Sequence, residues 1–377
     1  MLIFFAVFIL TALLLQWYSV RNAADHSRIR YECKPSVRAG EPGEEFVVFS
    51  TVSNIGRRAT PLLRIEEYFP NELNVCEAEQ FSIKITRNER RIYRSTAVVR
   101  GRQQVERSLR ASISKRGEYC FSYAEFHSGD FLGLREFDYD MPNENSIVIY
   151  PPRITDGELV SCFTSVMDEL ARRQMLLEDP LSVRGYREYT GREPMRQISW
   201  LQSAVRNSLV VKQFDPVWQQ SVCVVLDMQY HGDFDNHFKR QELCFAMART
   251  VCDMLEDRHM SYNLVTNAVI TGGIASFSST GGKGEAYARI LYALGSASNG
   301  EVCPLSELAT AACTGAERQR TLLLISTRRC EETACAVKRI EALNGGEVMT
   351  LYADEILTDE LESLVMGNAP ESGEAEA

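Results

Sequence analysis

Acidic and polar side chains follow the first long apolar run in the second half of the chain. Asp227, Gln229 and His231 come directly after that run, and Asp233 and Asp235 lie close behind them. In open α/β sheets, ligands bind at the carboxyl ends of strands. Carboxylate oxygens at such a place can bind a hard divalent cation. The pattern admits a metal-dependent hydrolase or a solvated polar loop without metal, and we favour the loop.

A second segment rich in functional side chains covers residues 185–200. It is dense in arginine, glutamate and tyrosine, and it ends in Trp200. Such a segment can pin a loop to a domain surface through ion pairs, or it can offer arginine and tryptophan to a partner protein. We expect the Trp200 ring to pack against the following domain, with Arg187, Glu188 and Arg196 pairing across the loop. If the segment is a partner surface instead, Arg196 contributes to capture rather than to folding.

Other chemistries find little support in the sequence. The glycine-rich segment 281–284 lacks the first glycine and the Ser/Thr of a phosphate-binding loop. The five histidines include no HExxH pair, and Cys330 and Cys335 have no second pair of zinc ligands beside them. The net charge of −10 excludes a general nucleic-acid binder, which needs a concentrated basic surface. We therefore predict no catalytic centre, no cofactor and no metal.

The chain begins with an apolar stretch that predicts a transmembrane helix. Residues 2–20 carry no charge, and 19 residues at 1.5 Å each span roughly 28 Å, close to the hydrocarbon thickness of a bilayer. A cleaved signal peptide is the alternative, although a basic n-region is missing. The positive-inside rule places the bulk of the chain in the cytoplasm, because basic residues follow the span; they are Arg21, Arg28, Arg30, Lys34 and Arg38. The odd number of cysteines, eleven, also favours a reducing compartment.

The remaining patterns predict a multidomain α+β fold. Residues 27–150 show short alternating runs between turn signals, which is typical of a β-sandwich, and the one histidine there, His127, stands alone. Residues 151–215 hold an amphipathic helix and a connector. Residues 216–353 alternate buried strands with helices, which indicates a doubly wound α/β domain. Residues 354–377 form an acidic tail that we expect to be disordered towards its end.

The connector resembles the signature of the bacterial family called domain of unknown function 58. A second segment, residues 129–134, is similar to the turn that closes the β domain of that family. The resemblance therefore covers most of the chain, from about residue 28 to about residue 350. The matching signature residues are Gly185, Arg187, Glu188, Tyr189, Gly191, Arg196, Ile198, Trp200, Ser203 and Ala204, followed by Leu209, Val211 and Phe214.

The resemblance implies an N-terminal membrane anchor, an Ig-like β-sandwich and a von Willebrand factor A-like domain. It also implies that the protein acts together with a MoxR-type AAA+ ATPase and a transglutaminase-like membrane protein. Their common role would be the assembly or chaperone-like maturation of envelope or protein complexes. The resemblance also marks Gly185, Arg187, Glu188, Tyr189, Gly191, Arg196, Trp200 and Ser203 as a partner-binding or structural signature.

Departures from the family pattern concern the metal-dependent adhesion site and the connector. Asp227 matches that site, but Gln229 and His231 occupy its serine positions, and Ser326-Thr327-Arg328 replaces a later aspartate. The resemblance therefore implies that the metal is lost. Arg192 and Ser199 also depart from the signature. We expect a single-pass membrane protein that serves as a non-catalytic scaffold; the hydrolase and a secreted adhesion protein are the alternatives.

Overall fold

The structure is a computed structural model of the chain. The described residues are 2–23, 26–60, 62–76, 82–85, 90–121, 123–130, 134–155, 157–175, 178–191, 193–216, 222–230, 234–270, 272–314, 321–345 and 348–367. They fall into two compact units. The first unit comprises Met1–Pro152, Tyr292–Ala297 and Ser363–Ala377, and the second comprises Arg153–Leu291 and Ser298–Glu362.

The fold is mixed α+β. The helices are α1 (Leu2–Ala23), α2 (Gly157–Met175), α3 (Trp200–Arg206), α4 (Phe234–Asp257), α5 (Glu285–Ser296), α6 (Leu305–Cys313), α7 (Glu331–Asn344), α8 (Ala353–Ile356) and α9 (Asp359–Met366). The strands of the first unit are β1 (Ile29–Pro35), β2 (Ala39–Gly40), β3 (Glu45–Asn54), β4 (Leu62–Pro70), β5 (Asn74–Val75), β6 (Ser82–Ile85), β7 (Arg90–Ala97), β8 (Gln104–Ser112), β9 (Gly117–Cys120), β10 (Tyr123–Gly129), β11 (Glu136–Pro142) and β12 (Ser146–Ile149). Those of the second are β13 (Glu178–Glu188), β14 (Val210–Pro216), β15 (Val222–Leu226), β16 (Tyr262–Thr266), β17 (Ala268–Val269), β18 (Ala275–Ser279), β19 (Ser298–Glu301), β20 (Thr321–Ser326) and β21 (Val348–Tyr352).

Helix α1 is long and apolar enough to cross a membrane over Phe4–Arg21. Its large apolar side chains are exposed along its length, which is the pattern that a lipid-facing helix needs. Near its end, the Gln16 amide donates a hydrogen bond to the Asp130 carboxylate. The predicted apolar helix is thus present, and length and composition are what support a membrane span.

The first unit consists mainly of two antiparallel sheets that share a core. One has the order β1-β3-β8-β5 and the other β11-β10-β4-β7-β6. Alternate residues of β3 are buried, because successive side chains of a strand point to opposite faces. Val48 and Leu109 of one sheet lie in the same buried cluster as Phe69 and Tyr93 of the other. This face-to-face packing of two sheets is a β-sandwich.

The second unit is built on a sheet of order β18-β16-β15-β20-β21. Strand β15 is parallel to β16 and β20, β20 is parallel to β21, and β18 is an antiparallel edge. Strands β15 and β20 are buried throughout, because helices cover both faces. Helices α6 and α7 share a cluster with Cys223 and Leu324. Val224 and Leu323, which point to the other face, are fully buried there, and α4 contacts both strands.

Four features differ from what the sequence indicated: the connector, helix α6, edge strand β18 and the acidic tail. The connector is an antiparallel pair, β13 with β14, with α3 between its strands. Helix α6 and edge strand β18 were not anticipated, because small and polar residues weaken their periodicity. The acidic tail contains the end of α8 and the whole of α9, which ends at Met366, and Leu361 and Val365, one turn apart on α9, are buried. The expected disorder concerns residues beyond 367, which lie outside the described ones.

Candidate functional site

Asp227 lies directly after β15, at the carboxyl edge of the parallel sheet of the second unit, and its side chain is fully buried. Its Oδ1 accepts hydrogen bonds from the backbone N–H of Gln229 and the amide of Asn267, both at 3.0 Å. Its Oδ2 accepts one from the Ser326 hydroxyl at 2.8 Å. The carboxylate is therefore held by neutral donors from the ends of three neighbouring parallel strands.

Gln229 is also engaged within the protein. Its Oε1 accepts a hydrogen bond from the backbone N–H of Leu305 at 2.6 Å, and its Nε2 lies 3.3 Å from Glu332 Oε2. Its backbone carbonyl accepts one from the Thr327 hydroxyl at 3.1 Å. The amide oxygen that could bind a cation thus caps the start of α6 instead. His231, Asp233 and the side chain of Asp235 lie outside the described residues.

Asn267 is the residue of this edge that the sequence reasoning missed. Its Nδ2 donates to Asp227 and to the carbonyl of Cys303, and its Oδ1 accepts from the backbone N–H of Met228 at 2.8 Å. It follows β16 as Asp227 follows β15. Carboxyl ends of neighbouring parallel strands meet at one edge, so this shared position was the signal that could have found it.

A cleft of about 320 Å³ opens beside this network. Its walls include Gln229, Ser306, Glu332, Cys335 and Arg339. The adjoining Cys303 is half-buried, and burial raises the pKa of its thiol, as do the nearby Glu307 and Asp227. Polar side chains line the cleft, and both oxygens of the Asp227 carboxylate behind it accept hydrogen bonds.

The signature forms an ordered hairpin rather than a loose connector. Gly185 lies opposite Gln213, Tyr189 donates its backbone N–H to the Leu209 carbonyl at 2.9 Å, and Gly191 has a φ of +88° in the turn. The Ser203 hydroxyl donates to the Ser199 carbonyl at 2.8 Å and accepts from the Val210 N–H at 2.9 Å. Ser203 therefore fastens α3 to β14.

The expected ion pairs of the signature are replaced by another one. Arg187 Nη1 lies 2.6 Å from Glu193 Oε1, whereas Glu188 and Arg196 are exposed side chains. The Thr190 hydroxyl and backbone N–H also donate to the Glu193 carboxylate. The Thr190 hydroxyl first, and then backbone N–H groups and Arg187, lower the pKa of Glu193 to about 2. The interactions of the ionised Glu193 carboxylate therefore stabilise the fold fully above the ordinary carboxylate pKa. This stabilisation is lost as the pH falls to about 2.

The expected packing of Trp200 is wrong. Its side chain is 61% exposed, at the start of α3, so it does not pack into the domain. Four other apolar side chains close to it in the sequence are exposed as well. We call these residues the apolar ridge: Met195 (68% exposed), Trp200, Leu201 (76%), Val205 (75%) and Leu209 (47%).

Comparisons with known proteins find structures similar to part of the chain. No protein-family model matches it, and no curated protein matches it. A CARDB domain from Pyrococcus furiosus is 9% identical, with a TM-score of 0.19, over 30% of this chain and 86% of that one. A non-cellulosomal cohesin from Archaeoglobus fulgidus is 13% identical, with a TM-score of 0.22, over 36% and 97%. A cohesin in a cohesin–dockerin complex from Clostridium thermocellum is 14% identical, with a TM-score of 0.23, over 32% and 99%.

Proposed function

We propose that this chain is a membrane-anchored, non-catalytic interaction module whose apolar ridge binds a protein partner. The observation that carries this proposal is the exposure of Trp200, Leu201 and Val205 on one short helix. Apolar surface left in water costs about 25 cal/mol per Å², so a cluster of this kind is usually covered by something. Tryptophan is also a favoured hot-spot residue of interfaces.

The hairpin gives the ridge a rigid base. Ile198, Ser203, Val210 and Val211 below it are buried, and the hydrogen bonds of Ser203 fix the helix on the strand. A preorganised surface loses little conformational entropy on binding, which favours affinity. The signature residues thus divide into those that build the hairpin and those that the hairpin presents.

The family resemblance supplies the partner in this proposal, a MoxR-type AAA+ ATPase, with a transglutaminase-like membrane protein as a further component. It also supplies the proposal that the second unit is a von Willebrand factor A-like domain. The doubly wound sheet with one antiparallel edge strand supports it. Asp227, with both oxygens accepting hydrogen bonds in a buried network, gives no support to the alternative of a metal-dependent hydrolase.

Truncating single side chains of the ridge should weaken partner capture without unfolding the protein. In the full chain in detergent micelles, we expect Trp200→Ala and Leu201→Ser each to weaken binding of a purified MoxR-type ATPase by at least about 30-fold, the effect of losing a 2 kcal/mol hot spot. Biolayer interferometry gives the affinity, and thermal unfolding gives the melting temperature, which should change little because these side chains are exposed.

Leu343→Ser is the matched control, because Leu343 is a 50% exposed leucine on α7, outside the ridge. It should leave capture unchanged. If Trp200→Ala lowers the melting temperature and leaves capture intact, the ring has a packing role and the proposal fails. Equal loss in Leu343→Ser would show nonspecific adhesion of apolar surface.

The proposal places both units in the cytoplasm, because basic residues directly follow the span. An impermeant maleimide should therefore label the exposed Cys120 and Cys335 only after the cells are permeabilised. The buried Cys252, whose pKa burial raises, should react only after denaturation and serves as an internal control. Labelling of Cys120 or Cys335 on intact cells would refute this topology.

A further inference from the structure

In the first unit, the outer face of the sheet β11-β10-β4-β7-β6 brings together side chains that are far apart in the sequence. On β4 and β10, Ile65 and Phe126 point into the core and are fully buried. Their neighbours Glu66, Glu125 and His127 point to the opposite face, because side chains alternate along a strand. His127, alone in the sequence of this domain, therefore lies beside a glutamate from another strand.

The carboxylates on this face are placed against one another. Glu66 is directly opposite Glu125 on the neighbouring strand, and Glu125 is directly opposite Asp140 on the next one. Like charges in directly opposite positions destabilise a sheet. Arg94 Nη2 offsets part of this repulsion from one side, 2.5 Å from Glu66 Oε1. A cation between Glu66 and Glu125 would offset more.

His127 is oriented in the way that metal-binding histidines are. Its Nδ1 lies 2.7 Å from the carboxylate of Asp138, its directly opposite neighbour on β11. A proton on Nδ1, shared with Asp138, leaves the lone pair on Nε2. That Nε2 atom is buried and has no hydrogen-bond partner, and the closest acidic oxygen is Glu66 Oε1 at 3.8 Å. A buried acceptor without a donor has a cost that a bound cation would remove.

The three ligand atoms are close enough to share one ion. One ring nitrogen of His127, one oxygen of Glu66 and one oxygen of Glu125 all lie within 4.8 Å of one another, and Nε2 is the nitrogen that faces Glu66. Small side-chain rotations bring such a set to ligand distances of about 2.0–2.2 Å. We propose that Glu66, Glu125 and His127 form a binding site for a divalent transition-metal ion of the zinc class on the outer face of this sheet.

The donor set decides the class of ion. One imidazole with two carboxylates suits zinc and its neighbours, whereas magnesium and calcium prefer oxygen ligands alone. Arg94, whose Nε donates a hydrogen bond to Glu66 Oε1 at 2.7 Å, orients that carboxylate. Three protein ligands leave a coordination position open. The site lies in the first unit and is independent of the apolar ridge and of its partner.

The test uses the full chain in detergent, stripped of metal with a chelator and titrated calorimetrically with Zn²⁺. We expect one equivalent to bind, with no competition from millimolar Mg²⁺ or Ca²⁺. Asp138→Asn should weaken binding about 10–100-fold, the usual effect of losing a residue that orients a metal-binding histidine. His127→Ala and Glu125→Gln, which remove ligands, should weaken it more than Asp138→Asn does.

Glu136→Gln is the matched control, because Glu136 is an acidic residue of the same face that pairs with Arg64. It should bind Zn²⁺ as the wild type does. Cysteines could bind the ion elsewhere, so Co²⁺ serves as a second probe: our site predicts a spectrum without thiolate-to-metal charge-transfer bands. Unchanged Zn²⁺ binding in both His127→Ala and Glu125→Gln, no binding at all, or equal competition by Mg²⁺ would each overturn the assignment. Glu125→Gln keeps the side-chain shape, so a folding defect in His127→Ala leaves the test intact.

Discussion

Replacing Asp227 with alanine should lower the free energy of unfolding of the second unit by about 3–5 kcal/mol, because each buried polar group left without its partner costs about 1–3 kcal/mol. The variant removes the acceptor of the Gln229 N–H, the Asn267 amide and the Ser326 hydroxyl together. These donors lie at the ends of neighbouring strands, so their loss loosens the whole carboxyl edge.

Asp227→Asn separates the role of the hydrogen bonds from the role of the charge. Its single side-chain oxygen can still accept from Gln229 and Asn267, and its amide can donate to Ser326 after the hydroxyl rotates. We therefore expect a loss of only about 1–2 kcal/mol. Urea unfolding of the full chain in detergent gives these energies, and hydrogen exchange in β15 and β20 assigns them to the second unit.

The result also distinguishes an internal network from a metal site. If the network is self-sufficient, millimolar Mg²⁺ leaves the stability of the wild-type second unit unchanged. A wild type that Mg²⁺ stabilises, combined with an Asp227→Ala variant that Mg²⁺ does not, would identify Asp227 as a metal ligand and contradict the internal network. Glu332→Gln, at the rim of the cleft, is the control and should cost less than about 1 kcal/mol.

The sequence predicted strands best where burial determines which positions of the strand are apolar. The four runs that predicted strands of the α/β domain fall on β15, β16, β20 and β21. The two that predicted buried strands, β15 and β20, are buried throughout, because both faces of a central parallel strand are covered and such a strand is mostly apolar. Edge strand β18, Ala275-Ser276-Phe277-Ser278-Ser279, has one exposed face and serine in three of its five positions, so its signal was weak. Burial thus determines which strands a single sequence reveals.

Contacts between strands were beyond the reach of sequence reasoning. Glu66 and His127 are separated by 61 positions and meet only through the pairing register of β4 with β10. The exposure of Trp200 was misjudged for a related reason. A tryptophan among apolar neighbours is usually buried, and only the hairpin geometry shows that Ile198 and Ser203 face inward while Trp200 faces out. The sequence gives the residue types, but the direction in which each side chain points depends on packing between distant segments.

The glycine-rich segment 281–284, which follows β18, makes its contacts within the protein itself. The backbone N–H of Lys283 donates to Glu256 Oε2 at 2.7 Å, so a carboxylate of the protein itself binds this loop. Gly281 has a φ of +83°, and a Cβ there would lie 2.7 Å from the carbonyl carbon of His259. The glycines therefore allow a close approach of backbone to backbone at the end of α4.

Glu256 is the centre of this arrangement. It is 1% exposed in the last turn of α4, where a negative charge is unfavourable to the helix dipole. Its Oε1 accepts from the Tyr262 hydroxyl at 2.9 Å and from the Ser279 hydroxyl at 2.5 Å. Burial, and then the charges around it, raise the pKa of Tyr262, so that hydroxyl keeps its proton and donates. The carboxylate therefore joins α4, β16, β18 and the glycine loop.

We expect Glu256→Ala to cost about 3–5 kcal/mol, because it leaves three donors without an acceptor. Glu256→Gln should cost about 1–3 kcal/mol, since one oxygen can still accept from both hydroxyls while its amide opposes the Lys283 N–H. Asp257→Asn is the matched control: it removes only the exposed ion pair with Lys283, at 2.5 Å, and should cost less than about 1 kcal/mol. Hydrogen exchange should show β16 and β18 loosening together in Glu256→Ala. A Glu256→Ala variant no less stable than Asp257→Asn would mean that the loop is held by its glycines alone, and the role assigned to this carboxylate would be wrong.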